Sequence, residues 1–483
     1  MRRRTAPSLG ACILLLSAVC RVVDGVSNSA HLGPTLASSL DDDAFLGFLG
    51  EVGECADSPV PNLVFTGGKN KTETRLPSLT VEGVWRSSMN HSLDDITLCT
   101  NTGIERSYML EGQCTSWGGP VVAILYLSLE LFDTNNALHI EQARAQAADL
   151  HARMEEAGGC ALDLVLVGDA VPANESWAYP YNSLRNQAIA RARTRLVLLL
   201  DVDFLVSTGA RERLLARDAW VWALDATYAR RQAIVLPAFQ TTLNLSLAEG
   251  TAVAHDSAAG GKEEGRRPEE QGRGGLGAGS KAYMKAEMAA GRITRFAPFF
   301  LKGHNATDYN RWFRSSTPYP ITYQRGYEPF ILVSRLHVPW FDERFRGYGW
   351  DKISHMHAMV ATGFQLVADP SIYVVHRPHI PSAGYNHTFT GPAYTKSHRA
   401  TAAMEKLSVI GMELIQDVKA GVYPEHGVTA LAACRPLERW FGAERRGPAE
   451  GPGAAPPSAG KRETPSRLAF MRGRLQNPVV AWW

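Results

Sequence analysis

Leu196-Val197-Leu198-Leu199-Leu200-Asp201-Val202-Asp203 decides how the chain is read. A fully apolar run of this length suits a strand buried on both faces, as in parallel sheets. It runs straight into two acids one residue apart. The carboxyl ends of buried parallel strands form the edge where ligands bind. Two carboxylates there make a hard-oxygen site for Mg²⁺ or Mn²⁺, which can bridge a diphosphate. The bland alternative is a strand ending in a polar turn.

The flanking sequence repeats the pattern. Strands are predicted at Ile96–Cys99, Val121–Leu127 and Leu162–Val167, with a later one at Ile372–Val375. Helices are predicted over Glu105–Ser116, His139–Glu156 and Asn182–Arg193, the first ended by Gly118-Gly119-Pro120. Alternation of strand and helix means crossover connections and an α/β fold with a mostly parallel central sheet flanked by helices. The helix opening near Asn182 therefore starts at the edge where the next strand ends at Asp201. Helix N-termini attract phosphate and arginine adds a forked donor, so Asn182, Arg185 and Asn186 are candidates for holding a donor diphosphate. Asn182 or Ser183 could instead merely cap the helix. Leu184, Ala188 and Ala192, spaced by four, are expected to face the sheet.

Two further segments carry candidate chemistry. Phe341-Asp342-Glu343-Arg344-Phe345-Arg346-Gly347-Tyr348-Gly349-Trp350-Asp351 is dense in aromatic, glycine and acidic residues. Asp351 opens a helical stretch with Ile353, Met356 and Val360 at core spacing. It reads either as a general base for an acceptor hydroxyl or as the helix N-cap. Glu328 is the other carboxylate that suits a base. His376, just past a predicted strand and followed by Arg377-Pro378-His379, could complete a metal shell as neutral imidazole. Lys302 and His304 add a polar group, and Trp312 and Trp350 suit either sugar stacking or the core.

Composition bounds the rest. The chain has 483 residues, 45% hydrophobic and 20% charged, enough for a large core. Lys+Arg number 50 against 48 Asp+Glu, a net charge of +2 that argues against a nucleic-acid-binding surface. Arg2-Arg3-Arg4 before an apolar run from Leu9 to Val19 reads as a secretory signal or a short type II anchor. Asn70, Asn90, Asn174, Asn244, Asn305 and Asn386 open N-x-[ST] sequons, in keeping with that address. Outside the signal lie Cys55, Cys99, Cys114, Cys160 and Cys434, an odd number with no CxxC, so at least one is free or pairs with another chain. The expected organisation is a signal or anchor at 1–25, a stem and irregular lead-in at 26–94, one catalytic domain at 95–433 and a disordered tail at 434–483. Residues 248–280 read as a glycine-rich, low-complexity surface insertion.

Taken together, the segments resemble glycosyltransferase family 49, the glucuronyltransferase domain of LARGE-like enzymes. The match is carried by Tyr179-Pro180-Tyr181-Asn182-Ser183-Leu184-Arg185-Asn186 and by Leu199-Leu200-Asp201-Val202-Asp203-Phe204-Leu205. Val235-Leu236-Pro237-Ala238-Phe239, Lys302-Gly303-His304, Trp312, Thr317-Pro318-Tyr319 and Tyr327-Glu328-Pro329-Phe330 continue it. Phe341 to Phe345, Gly347 to Trp350 and Val375-His376 close it. The resemblance implies a GT-A fold, a UDP-sugar donor, Mn²⁺, inversion at the anomeric carbon and a glycan acceptor. It implies Asp201 and Asp203 as metal ligands with His376 as a third. Asp351 stands where such relatives carry Asn, which gives Glu328 more weight as the base. A haloacid-dehalogenase-type phosphatase, the other user of such a strand end, would carry Thr or Val where this chain has Leu205. A non-catalytic relative that binds glycan or UDP-sugar is the alternative reading.

Overall fold

The computed structural model describes residues 77–243, 245–259, 276–335, 337–390 and 398–420. The predicted signal, most of the stem, Cys55, Cys434, the tail, and the sequons at Asn70 and Asn244 lie outside the described residues. The other four sequon asparagines, Asn90, Asn174, Asn305 and Asn386, are exposed. No helix among the described residues is long and apolar enough to cross a membrane.

The four strands predicted up to Leu200 all form. They are β2 (Ile96–Gly103), β3 (Pro120–Glu130), β4 (Ala161–Val171) and β5 (Leu196–Leu199), following an additional β1 (Thr80–Trp85). Then come β6 (Phe204–Val206), β7 (Gln232–Leu236), β8 (Ala238–Thr241), β9 (Ile293–Arg295), β10 (Tyr319–Ile321), β11 (Phe330–Ser334), β12 (Gln365–Ala368) and β13 (Val374–His376). A nine-stranded sheet runs β1-β4-β3-β2-β5-β11-β7-β12-β10, and a four-stranded sheet runs β6-β13-β8-β9. The class is α/β, as expected. Its large sheet is mixed, with six of nine strands, β2 to β5, β7 and β12, running in one direction. β2 to β5 pair in parallel, but β11 joins antiparallel to both β5 and β7, and β1 and β10 close the edges antiparallel. Strand β1 falls in the stretch read as an irregular lead-in, paired from Thr80 to Trp85 with β4.

Why the strands are apolar throughout is plain from the two faces. Leu196 and Leu198 enter one core, with Ala143, Ala147, Leu150 and Met154 of α2 (Asn136–Ala157) and Met109, Leu110 and Cys114 of α1 (Met109–Trp117). Val197 and Leu199 enter the other, with Leu184, Ala188 and Ala192 around α3 (Tyr181–Arg191). Alternate side chains point to opposite faces, so a strand covered on both must be apolar at every position. Each fully buried leucine or valine contributes about 1.5–3 kcal/mol of transfer free energy.

Three local expectations change. The segment from Glu105 is not one helix: a 3-10 turn, Ile104–Arg106, precedes α1, which ends at Gly118 with φ 69°. The stretch 248–280 is helical at both ends, as α4 (Leu247–Ala259) and α5 (Leu276–Ala289), and only 260–275 lie outside the described residues. Ala254 and Ala258 of α4 are buried in the core beneath it. In α6 (Asp351–Ala361), Ile353 and Met356 are buried as expected, but Met359 takes the third core position and Val360 is 37% exposed.

Among the described residues one disulfide joins Cys114 to Cys160 across 46 positions, tying α1 to the start of β4, while Cys99 is buried and free.

Candidate active site

The acidic pair lies where the chain leaves the large sheet. β5 ends at Leu199, and after the turn β6 begins the small sheet at Phe204. This turn is clamped by backbone contacts. Gln113 of α1 donates to the Asp201 carbonyl at 2.8 Å. Arg377 donates from its backbone to the Asp203 carbonyl at 2.8 Å and from its guanidinium to the Val202 carbonyl at 3.0 Å. Antiparallel pairing of β6 with β13 sets His376 opposite Phe204. That register delivers the His376–His379 segment to Asp203.

Asp203 Oδ2 therefore meets three cationic or nitrogen groups. His379 Nε2 is 3.1 Å away, His376 Nε2 3.7 Å and Arg106 Nη2 3.2 Å. Asp203, His376 and His379 place one ligand atom each within 4.8 Å of one another, a geometry able to hold a metal ion. One carboxylate and two imidazoles suit Mn²⁺ or Zn²⁺ better than an all-oxygen Mg²⁺ site. Burial lowers the His376 pKa and outweighs the opposing pull of Asp203, which favours the neutral ring that a metal needs. Burial opposes ionisation of Asp203, but the two histidines outweigh it and hold the carboxyl well below its usual range.

Asp201 faces the other way. Its Oδ1 accepts from Arg185 at 3.1 Å and its Oδ2 from Lys352 at 2.6 Å. Arg185 also donates to Asp351 at 2.8 Å and to Asn182 at 3.1 Å. The expected adjacency of the α3 start and the acidic turn is thus present, but the guanidinium is engaged by carboxylates. Asp201, expected beside Asp203 as a ligand, belongs instead to this charge network and not to the three-residue cluster.

Asp351 is the first residue of α6, behind Trp350 at φ 66°. Its carboxylate goes to Arg185 rather than to a backbone N–H, so it is not a helix cap. Glu328, with Asp351 and Lys352, lines the same cavity. Burial, reinforced by the nearby Asp351 charge, pushes the Glu328 carboxyl up to about 8. Around neutral pH it keeps its proton, and two carboxylates, Asp201 and Asp351, face two cations, Arg185 and Lys352.

Several expected contacts are structural instead. Asn182 donates to the carbonyl of Asp342 at 2.8 Å. Asn186 donates to the carbonyl of Phe341 at 2.9 Å and accepts from its N–H at 2.9 Å. Both asparagines pin the 341–351 segment to α3, and neither lines the cavity. His304 packs edge-on against Phe296, and burial with the nearby Lys352 charge lowers its pKa to about 3. Lys302 is exposed and, like His304, is absent from the cavity wall. Trp312 is fully buried and donates to the Asp369 carbonyl at 3.1 Å, and Trp350 is packed in a separate small core, so neither is a sugar platform.

The cavity measures about 960 Å³ and opens at the carboxyl end of β2, where Asn101, Thr102 and Gly103 line it. Thr102 is buried with a hydroxyl that has no protein partner. Tyr181, Tyr348 and Tyr385 form an aromatic wall beside Asp351. Sequence reasoning did not single out Arg106, Lys352 or His379 as site residues. Lys352 directly follows Asp351 and His379 closes a His-Arg-Pro-His run, so both carried a signal. Arg106 carried none, because the break before α1 aims it.

The chain resembles known proteins along most of this framework. It is 30% identical over 328 residues to human "Xylosyl- and glucuronyltransferase LARGE2", covering 67% of this chain and 39% of that protein. It is 30% identical over 290 residues to zebrafish "Xylosyl- and glucuronyltransferase LARGE1", covering 60% of this chain and 32% of that protein. The chain thus spans well under half the length of these relatives. Among solved structures, GalNAc-T7 with UDP, GalNAc and Mn²⁺ is similar at a TM-score of 0.32 and 11% identity, covering 85% of this chain and 60% of that one. The family described as "Glycosyl-transferase for dystroglycan" matches residues 134–400, from α2 through the acidic turn and Asp351 to beyond His379. That match takes in more than half of the sequence, and the chain belongs to this glycosyltransferase family.

Proposed function

We propose that the protein is an inverting, metal-dependent transferase of GT-A type that moves a sugar from a UDP-sugar to a glycan acceptor in the secretory pathway. The carrying observation is the Asp203–His376–His379 cluster opening on the same cavity as Asp351 and Glu328. Glucuronic acid is the first donor to test, since the relatives' names include glucuronyltransferase, and xylose is the second. The signal-like N-terminus and exposed sequons support the secretory address. Residues 95–433 form the proposed catalytic domain.

A divalent cation held by Asp203, His376 and His379 would offset the charge of the departing diphosphate. The chain's own residues supply the rest. Asp351 takes the proton of the acceptor hydroxyl as that oxygen bonds to the anomeric carbon. The bond from that carbon to the diphosphate oxygen breaks, and the electron pair leaves with UDP. Attack from the face opposite UDP gives inversion. Glu328, holding a proton near neutral pH, leaves Asp351 as the base. Tyr181, Tyr348 and Tyr385 present faces for an acceptor sugar beside it.

The test is UDP release with Mn²⁺ from UDP-glucuronic acid, UDP-xylose, UDP-GlcNAc and UDP-galactose, over a panel of glycan acceptors. No Mn²⁺-dependent release from any pair sinks the reading. Occupation of both Asp201 oxygens by Arg185 and Lys352 favours a second reading, a relative that binds UDP-sugar without turnover. UDP-sugar binding without UDP release would support it.

A further inference from the structure

Arg106 is the cation on Asp203 that no metal or phosphate role yet explains. It sits at the end of the 3-10 turn after β2, on the cavity wall. Its Nη2 is 3.2 Å from Asp203 Oδ2, the same oxygen that faces His376 and His379. Its Nε is buried without a hydrogen-bond partner. The other arginine beside this turn, Arg377, donates to the carbonyls of Met109 at 2.6 Å and Val202 at 3.0 Å. Arg377 Nε is also without a hydrogen-bond partner, but Arg377 does not line the cavity, so of these two arginines Arg106 is the one whose spare hydrogen-bonding capacity lies at the cavity. A guanidinium and a divalent cation on one carboxylate oxygen repel each other strongly at this depth. Arginine also matches phosphate oxygens in a bidentate fork, and its unpartnered Nε is part of that fork.

We propose that Arg106 competes with a divalent cation for Asp203 and, displaced from it, becomes the guanidinium contact of the donor diphosphate. Asp203 exchanges one cation for another, so its charge is never left bare. The guanidinium needs only to turn within the same cavity. The inference rests on the proposed UDP-sugar reaction and adds to it a residue that couples metal entry to nucleotide binding.

The test measures two affinities on the full chain. One is for Mn²⁺ alone, by electron paramagnetic resonance of the free ion. The other is for UDP at saturating Mn²⁺, by calorimetry. Arg106→Gln is expected to bind Mn²⁺ alone about fivefold or more tighter, because a competing cation is gone. The same variant is expected to bind UDP with Mn²⁺ about tenfold or more weaker. Opposite signs set this apart from general damage, which weakens both. Mn²⁺ affinity that is unchanged or reduced, or UDP affinity that is unchanged, overturns the proposal. Should Arg106→Gln fail to fold, Arg106→Lys decides. It keeps the charge but not the fork, so Mn²⁺ affinity stays within about twofold of the parent while UDP affinity falls. UDP affinity equal to the parent's in that variant overturns the proposal. A parent protein that binds neither Mn²⁺ nor UDP instead overturns the transferase reading itself.

Discussion

Lys352 donates to Asp201 across 2.6 Å, joining two residues 151 positions apart in the chain. The contact fixes the start of α6 against the acidic turn. It also divides the labour of the two aspartates, since Asp201 is held by cations while Asp203 faces the histidines.

Replacing Lys352 by Met leaves Asp201 with only Arg185 beside it. Burial opposes charge on Lys352, but Asp201 outweighs it and raises the lysine pKa, so the pair favours the folded state. The expected loss is about 1–3 kcal/mol, read from urea unfolding. A variant as stable as the parent would show that the contact contributes nothing.

Asp203→Asn keeps the shape of the turn, because Arg377 holds the Asp203 backbone carbonyl rather than the side chain. Transfer should drop by about 10²-fold or more while the melting temperature moves by only a few degrees. A collapse in secretion or melting temperature would assign Asp203 a structural role.

Asp351→Asn and Glu328→Gln separate the two candidate bases. The first should lower kcat by about 10²-fold or more with little change in the KM for donor, and the second by less than about tenfold. The reverse order would transfer the role to Glu328.

Glu328 also makes stability depend on pH. Its folded pKa, about 8, lies above the ordinary value of 4.5, so between these values the folded state binds more protons than the unfolded one. Stability attributable to this group is present below about pH 4.5 and declines as pH rises to about 8. Glu328→Gln should therefore gain stability relative to the parent on going from pH 5 to pH 9. Parallel curves for the two proteins across that range would contradict the assignment.

Cys114 and Cys160 close a long loop between α1 and β4. Their joint replacement by serine should cost about 2–4 kcal/mol, measured by thermal unfolding under non-reducing conditions. No change would mean that the bond is not formed in the purified protein.

The part of the fold legible in the sequence was the part built from local pattern. Runs such as Leu196–Leu200 and the spacing of Leu184, Ala188 and Ala192 reveal strands and a covering helix because burial on both sheet faces dictates them. Antiparallel entry of β11 between β5 and β7 left no such mark, since an apolar strand does not say which neighbour it takes. The site divides in the same way. Asp201 and Asp203 announce themselves at a strand end. The partition of Asp201 to Lys352 and of Asp203 to His379 follows from the β6–β13 register and from the packing of α6. Asn182 and Asn186 misled because a polar helix start looks the same whether it holds a ligand or a neighbouring backbone segment.

The pairing of β6 with β13 has a consequence for biosynthesis. Asp203 is made long before the histidines that face it, and Arg106 is made earlier still. During synthesis the parallel strands β2 to β5 can assemble while the acidic turn holds only arginines, Arg106 at Asp203 and Arg185 at Asp201. The cluster becomes whole when the His-Arg-Pro-His segment arrives, so a chain cut short before Val374 would carry the acidic pair without the imidazoles that complete the candidate metal cluster.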